Sequence, residues 1–180
     1  MADWQRTLWH EITQLDGVTP ADGACVLVVG EGLPVVFGPR VRLVRRRVGE
    51  ALGEEAGFHR IIILACGGVA ADYPLLLQQM WPLLRPDGQL VLVAARPSPW
   101  GLRGSVWWRG YPRKHWLRWL RQAHWLVAED ATVGFGSAWM RWVPCGGAVR
   151  VFVAQKRVGG AKVLVTTEKG VVGKPVGVPV

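Results

Sequence analysis

The sequence has few cysteines, and none of them has the spacing of a metal or redox motif. The three are Cys25, Cys66 and Cys145, and no two of them form a CxxC pair. The common zinc and thioredoxin-type motifs need that spacing, so both classes lack support, and an odd count favours a reducing compartment. The histidines show no metal-ligand spacing and no paired acid, and there is no GxSxG nucleophile motif. We expect His115 and His124, which share one basic helix, to lie at the surface.

Long apolar segments are also missing. The longest runs, IIILAC and LVLVAA, are too short to span a bilayer. The first residues, MADWQRTLWHEI, contain Asp3 and Glu11 and lack the apolar core of a signal peptide. We therefore expect a soluble cytoplasmic protein, or one that attaches peripherally to a membrane.

Acidic side chains are absent from one long stretch of a strongly basic chain. The formal net charge is +9 and the pI about 10.3, yet no Asp or Glu occurs between Gly88 and Ala128. That stretch interleaves arginine and lysine with tryptophan, of which the chain has eleven. Basic surfaces attract nucleic acid and acidic headgroups, and indoles favour membrane interfaces or stack on unpaired bases.

Three interpretations of this basic, Trp-rich stretch stay open. Some tryptophans form core, with Trp116 the best candidate; the loop caps a substrate pocket; or the stretch binds a protein, nucleic acid or an anionic membrane surface. A solvated basic face without a partner is the plain alternative. If the stretch is a partner surface, the predicted contact residues are Arg103, Trp107, Trp108, Arg109, Arg113, Lys114 and Arg118.

What is present is an alternation of apolar strands with amphipathic helices. Hydrophobic periodicity predicts helices over 3–15, 71–88 and 113–125 and strands over 24–30, 40–46, 59–67, 89–96, 126–135 and 148–157, with 40–46 at an edge. The order strand, helix, strand over 59–96 predicts a βαβ unit with parallel pairing. The helix over 71–88 contains Pro82 and is expected to close on RPDG, where Gly88 can take a positive φ. We expect one domain over 1–157 and a flexible basic tail over 158–180.

Part of the chain resembles a known family. FHRIIILAC and the later LLLQQMWPLLRPDGQLVLVAA resemble the second half of class I S-adenosylmethionine-dependent methyltransferases, in which a strand beginning FDxV is followed by a helix ending LkPGG and then directly by the next strand. RPSPWGLRGSVWWRGYP is similar to a loop of bacterial methyltransferase type 11-like proteins. The resemblance implies an α/β fold with a Rossmann-like methyltransferase sheet that is mostly parallel, has an antiparallel last strand, and is shortened in its N-terminal half.

The same resemblance implies where S-adenosylmethionine would bind. VLVVGEGLPVVFG places Gly30, Glu31 and Gly32 in the turn after the first strand, and ACGG places Cys66 and Gly67 after the third. Ligands of α/β sheets bind at the carboxyl ends of the strands. A tight structural turn is the alternative interpretation of both glycine-rich segments.

The departures from the family pattern lead to two hypotheses. The family holds the ribose with an acid after the second strand, whereas here three arginines, Arg45 to Arg47, stand there, and arginine cannot accept a hydrogen bond. Between Glu31 and Gly57 there is room for about one helix and one strand. In the first hypothesis, the chain is a methyltransferase-like binding or scaffold module with weakened or lost cofactor binding. In the second, it is an active methyltransferase of unknown substrate. No catalytic base can be assigned.

Overall fold

The helices and strands lie close to the segments that the apolar pattern predicts. The computed structural model describes residues 3–50, 56–65, 72–95, 110–134 and 147–156. The helices in these ranges are α1 (Asp3–Thr13), α2 (Tyr73–Leu83) and α3 (Arg113–Gln122). The strands are β1 (Cys25–Val29), β2 (Arg42–Arg46), β3 (Phe58–Ala65), β4 (Leu84–Ala95), β5 (Trp125–Gly134) and β6 (Gly147–Lys156).

The six strands form one sheet in the order β2-β1-β3-β4-β6-β5. β2, β1, β3 and β4 pair in parallel, and β6 runs antiparallel to both β4 and β5. Strand β2 lies at an edge, as its alternating pattern predicts. The predicted βαβ unit and the antiparallel last strand are therefore both confirmed.

Apolar side chains cover both faces of the sheet. In β3, Ile61 and Ile63 join the cluster beneath α2 and α3, whereas Ile62 and Leu64 join the cluster that contains Leu8 of α1. A strand with two covered faces reads as a continuous apolar run, which explains why β1, β3 and β4 lack polar alternation.

The first half of the fold is short. In the connection between β1 and β2, residues 30–41 contain no helix. Parallel neighbours usually need a crossover helix to cover the sheet. Here Leu33 and Val35 are buried in the same cluster as α1, so an extended segment takes part of that role.

The turn after α2 differs from the prediction. α2 ends at Leu83 with Pro82 inside it, and Leu84 already begins β4. The register with β3 shifts between the pairs Phe58–Leu84 and Arg60–Gln89, so RPDG forms an irregularity within β4. Gly88 does not take a positive φ. A Cβ at position 88 would lie 2.7 Å from Cγ of Leu84, so close packing requires this glycine.

The predicted end of α3 was also wrong. The helix stops at Gln122, and β5 begins at Trp125. His124 takes a φ of 61° between them. This left-handed residue allows a connection of only two residues, which helical periodicity alone does not reveal.

Candidate functional site

The carboxyl ends of β1 to β4 form the edge at which this kind of sheet binds ligands. Gly30 follows β1, and its N–H donates to the carbonyl of Arg46 at 3.0 Å. Its φ is +102°, and a Cβ there would lie 2.5 Å from the carbonyl oxygen of Leu64 in β3. The backbone packing of β1 against its neighbours therefore requires glycine at position 30, whether or not a ligand binds.

The segment after Gly30 packs against one face of the sheet. Leu33 and Val35 are buried, and the guanidinium of Arg45 donates to the carbonyl of Val35 at 2.7 Å. Arg45 thus supports this segment from the neighbouring strand, a role that its position in the sequence did not reveal.

Helix α1 holds the same segment from the other side. Nε2 of Gln5 donates to the carbonyl of Gly32 at 3.0 Å, and Nε1 of Trp9 donates to the carbonyl of Val36 at 3.1 Å. Trp9 itself is buried and packs edge-on against Phe37. Three carbonyls of residues 32–36 are therefore engaged by protein side chains.

The carboxylates that follow β1 and β2 are both bonded to one arginine. Oε1 of Glu31 lies 2.8 Å from Nε of Arg47, and Oε2 of Glu50 accepts from the backbone N–H of Arg47 at 2.9 Å. A ribose diol needs acceptors, and guanidinium groups only donate. The carboxylate acceptors that follow β1 and β2 are therefore already engaged by Arg47.

Six of the predicted site residues lie outside the described ranges. These are Cys66 and Gly67 of the second glycine turn, and Arg103, Trp107, Trp108 and Arg109 of the basic loop. Gly30, Glu31 and Gly32 lie in the turn after β1, and Arg113, Lys114 and Arg118 all lie on α3. Within the described ranges, the predicted site thus divides into one turn and one helix.

An aromatic cluster lies where α2 and α3 begin. Tyr73 opens α2, and its ring centroid is 4.9 Å from that of Trp116. Tyr111 precedes α3 and lies 4.8 Å from Trp119, which is 5.1 Å from Trp116. Both helices follow the carboxyl ends of parallel strands, so these rings lie towards the ligand-binding edge. Trp116 is 1% exposed, which confirms it as core.

Sequence reasoning did not single out Tyr73, although its place just after the third strand was a usable signal. It also placed His115 at the surface. His115 is half-buried, its ring lies 6.0 Å from Trp119, and its Nδ1 atom is buried without a hydrogen-bond partner. Because α3 lies against the cluster, one flank of the helix is covered. His124 is exposed, as predicted.

The charges of α3 are not equivalent. Nε of Arg113 lies 2.5 Å from Oδ2 of Asp130, whose Oδ1 accepts from Nε of Arg150 at 2.5 Å. Lys114 and Arg118 are exposed, and none of the ion pairs between described residues involves them. Arg113 therefore has a structural role, whereas Lys114 and Arg118 have no ion-pair partner among the described residues.

A half-buried arginine lies in β3 near the amino ends of the parallel strands. Nη2 of Arg60 donates to Oε1 of Gln89 at 2.7 Å, whereas its Nε and Nη1 atoms are buried without a partner. Burial without a carboxylate lowers the pKa of Arg60 from its usual value to about 10. This charge lies away from the candidate site.

Comparison with solved structures identifies the fold. A chain of the complex between the Haloferax volcanii Trm112 methyltransferase activator and a methyltransferase matches with a TM-score of 0.58 and 12% identity, over 84% of this chain and 91% of that chain. An S-adenosylmethionine-dependent methyltransferase structure from Listeria monocytogenes matches at 0.57 and 8%, over 86% and 98%. The Burkholderia thailandensis 1,6-didemethyltoxoflavin-N1-methyltransferase, solved with 1,6-didemethyltoxoflavin and S-adenosylhomocysteine, matches at 0.53 and 21%, over 86% and 78%.

These likenesses show that the chain has the class I methyltransferase fold. No protein-family model and no curated protein sequence matches it. In the described ranges, none of the helices has the length and apolar character of a membrane span. The described side chains also include no group of three or more His, Cys, Asp or Glu that could hold a metal ion.

Proposed function

We propose that this chain is a methyltransferase-fold protein that does not bind S-adenosylmethionine and acts as a binding module. Its binding surface is the α3 basic face, which we define as Lys114, Arg118 and Arg121. The observation that carries the proposal is the position of Arg47: it engages both Glu31 and Glu50 where the ribose hydroxyls would need a carboxylate.

The turn after β1 supports the loss of cofactor binding. Gln5, Trp9 and Arg45 hydrogen-bond its carbonyls. Displacing the segment would break these bonds and expose Leu33 and Val35, each worth about 1.5 to 3 kcal/mol of burial. The glycine that the family would use for the cofactor, Gly30, is explained by its contact with Leu64.

Isothermal titration with S-adenosylhomocysteine tests the first half of the proposal. We expect no heat of binding and no rise in melting temperature at millimolar ligand, because a ligand that binds only the folded state must stabilise it. An active methyltransferase of the same fold, titrated alongside, shows that the ligand and conditions are sound. Saturable binding at micromolar ligand would overturn the proposal.

An active methyltransferase is the second candidate, and the aromatic cluster favours it. Tyr73, Tyr111 and Trp119 could hold a planar methyl acceptor near the carboxyl edge, since ligand pockets are lined mainly by apolar and aromatic groups. One structure of this fold contains S-adenosylhomocysteine together with 1,6-didemethyltoxoflavin. The titration with S-adenosylhomocysteine distinguishes the two candidates, because an active methyltransferase must bind the cofactor.

A further inference from the structure

We propose that the partner of the α3 basic face is single-stranded nucleic acid. In this proposal, its phosphates contact Lys114, Arg118 and Arg121, and one of its bases stacks on Tyr111. The inference rests on the proposed function, because it names the partner of the same surface.

The three cations form one stripe along the helix. They stand at positions i, i+4 and i+7, so they fall within an arc of about 60° and advance by about 6 and 4.5 Å along the axis. The buried side chains Trp116 and Leu120 lie on the opposite side of α3. The stripe therefore points away from the sheet and into solvent.

Among the described residues, no acidic side chain forms an ion pair with the stripe. The ion pairs between described residues leave out all three of its members, and Asp130 is already engaged by Arg113 and Arg150. The surrounding sequence from Gly88 to Ala128 contains no Asp or Glu. A line of cations without counter-charges holds mobile anions, and a polyanion gains affinity by releasing its own counterions when it binds there.

An exposed ring lies on the flank of α3 that carries His115 and Trp119, next to the side that carries the stripe. Tyr111 is 40% exposed, and Trp119 supports it in an edge-to-face contact with an interplanar angle of 74°. Nucleic-acid grooves that bind single strands combine cations along the backbone with aromatic faces for the bases. Tyr111 and the stripe supply these two parts on adjacent flanks of α3.

The structure favours nucleic acid over a membrane or a protein. An amphipathic helix enters a membrane interface through its apolar face, but Trp116 and Leu120 of α3 are buried against the sheet. Stable protein interfaces have an apolar centre with a polar rim. The exposed side chains of α3 are all basic or polar: Arg113, Lys114, Arg118, Arg121 and Gln122.

The test is fluorescence anisotropy with labelled oligo(dT) and oligo(U) of about 12 nucleotides. Lys114→Gln, Arg118→Gln and Arg121→Gln are combined in one variant. The matched control combines Arg6→Gln, Arg40→Gln and Arg42→Gln, three exposed cations of α1, the β1–β2 connection and β2. Both variants lose three charges. We expect the α3 variant to raise Kd roughly 30-fold and to reduce the slope of log K against log salt by about 2, whereas the control changes Kd less than about threefold.

A second pair of variants tests the stacking contact. Tyr111→Ala is expected to raise Kd roughly tenfold without changing the salt slope, because a base loses its π-face but no phosphate contact is lost. Tyr111→Phe keeps the ring and the affinity. Circular dichroism of every variant confirms that the fold is intact.

Several outcomes would overturn the inference. An equal loss in the α3 variant and its control would mean that net charge alone attracts the strand. Binding of phosphatidylserine vesicles or of poly-glutamate through this stripe, with no oligonucleotide binding, would assign the surface to a membrane or to an acidic protein. S-adenosylhomocysteine is titrated into the same samples: if it binds, the proposed function fails, whereas failure of the oligonucleotide alone removes only the identity of the partner.

Discussion

The carboxylate of Asp130 in β5 lies 2.5 Å from Nε of Arg113, the first residue of α3. The same carboxylate accepts from Arg150 in β6, and its side chain is only 12% exposed. No side chain caps the N-terminus of α3, where Pro112 precedes the helix. The ion pair therefore fastens the first turn of α3 to the sheet, and it removes Arg113 from the cations that are free to bind a partner.

We predict that Asp130→Asn lowers the free energy of unfolding by about 2 kcal/mol, because it leaves the partly buried Arg150 without a carboxylate. Urea unfolding at neutral pH measures the loss. The matched control is Asp22→Asn, which breaks an exposed pair with Arg40 at 3.5 Å and should cost less than about 0.5 kcal/mol. Equal losses in the two variants would mean that the Asp130 cluster adds no more than a surface pair.

Gly30→Ala tests whether the turn after β1 is structural. We predict a loss of about 3 kcal/mol, since the new Cβ would lie 2.5 Å from a strand carbonyl at a positive φ. Gly23→Ala is the control: its φ is +80° but nothing lies within 4 Å of the added Cβ, so only the backbone strain of about 1 kcal/mol remains. A tolerated Gly30→Ala would show that the contact with Leu64 can relax.

Trp9→Phe should loosen the segment over residues 32–36. The change keeps most of the apolar ring but removes the hydrogen bond to the carbonyl of Val36, so we predict a loss of about 1 kcal/mol. Hydrogen exchange measured by mass spectrometry should accelerate in this segment and stay unchanged in β3 and β4. Unchanged exchange near Val36 would mean that the remaining contacts of Leu33, Val35 and Arg45 hold it alone.

Arg60→Met should raise the melting temperature at neutral pH. The lowered pKa of Arg60 means that its charge is less favourable in the folded state than in the unfolded one. Between the folded pKa of about 10 and the higher pKa of the unfolded chain, the unfolded chain binds the extra proton, so this contribution to stability rises with pH. The advantage of Arg60→Met over the natural chain should therefore shrink above pH 10.

The control for that experiment is Arg60→Lys, which keeps a positive charge at the site and should not raise the melting temperature. Thermal unfolding of all three proteins across the same pH series isolates the effect of position 60 from other groups that titrate there. A melting temperature that falls in Arg60→Met would show that the hydrogen bond to Gln89 outweighs the cost of burying the charge.

Local patterns were sufficient for most of the fold. Continuous apolar runs predict β1, β3 and β4 because both faces of these strands are covered, and the spacing of Trp116, Leu120 and Ala123 predicts α3. The errors fall at the ends of elements. The irregularity at Gly88 depends on space beside Leu84, and the short turn at His124 depends on where β5 must begin.

The candidate site was less predictable, because its contacts join residues far apart in the chain. The departures after β1 and β2 were visible as Leu33, Pro34 and three arginines, and they pointed to a poor fit for the cofactor. That Arg45 supports Val35, and that Arg47 engages Glu31, required the two strands to be neighbours.

By itself, the sequence determined the strands, the helices and the excess of positive charge on α3, since these follow from the periodicity and composition of neighbouring residues. Only the tertiary structure decided which charges are free. Arg113 and Lys114 are adjacent in the chain, yet one is bound to Asp130 and the other faces solvent. The physical reason is that charge pairing depends on distance in space, and the sheet brings Asp130 to the start of α3 across a turn that local patterning does not encode.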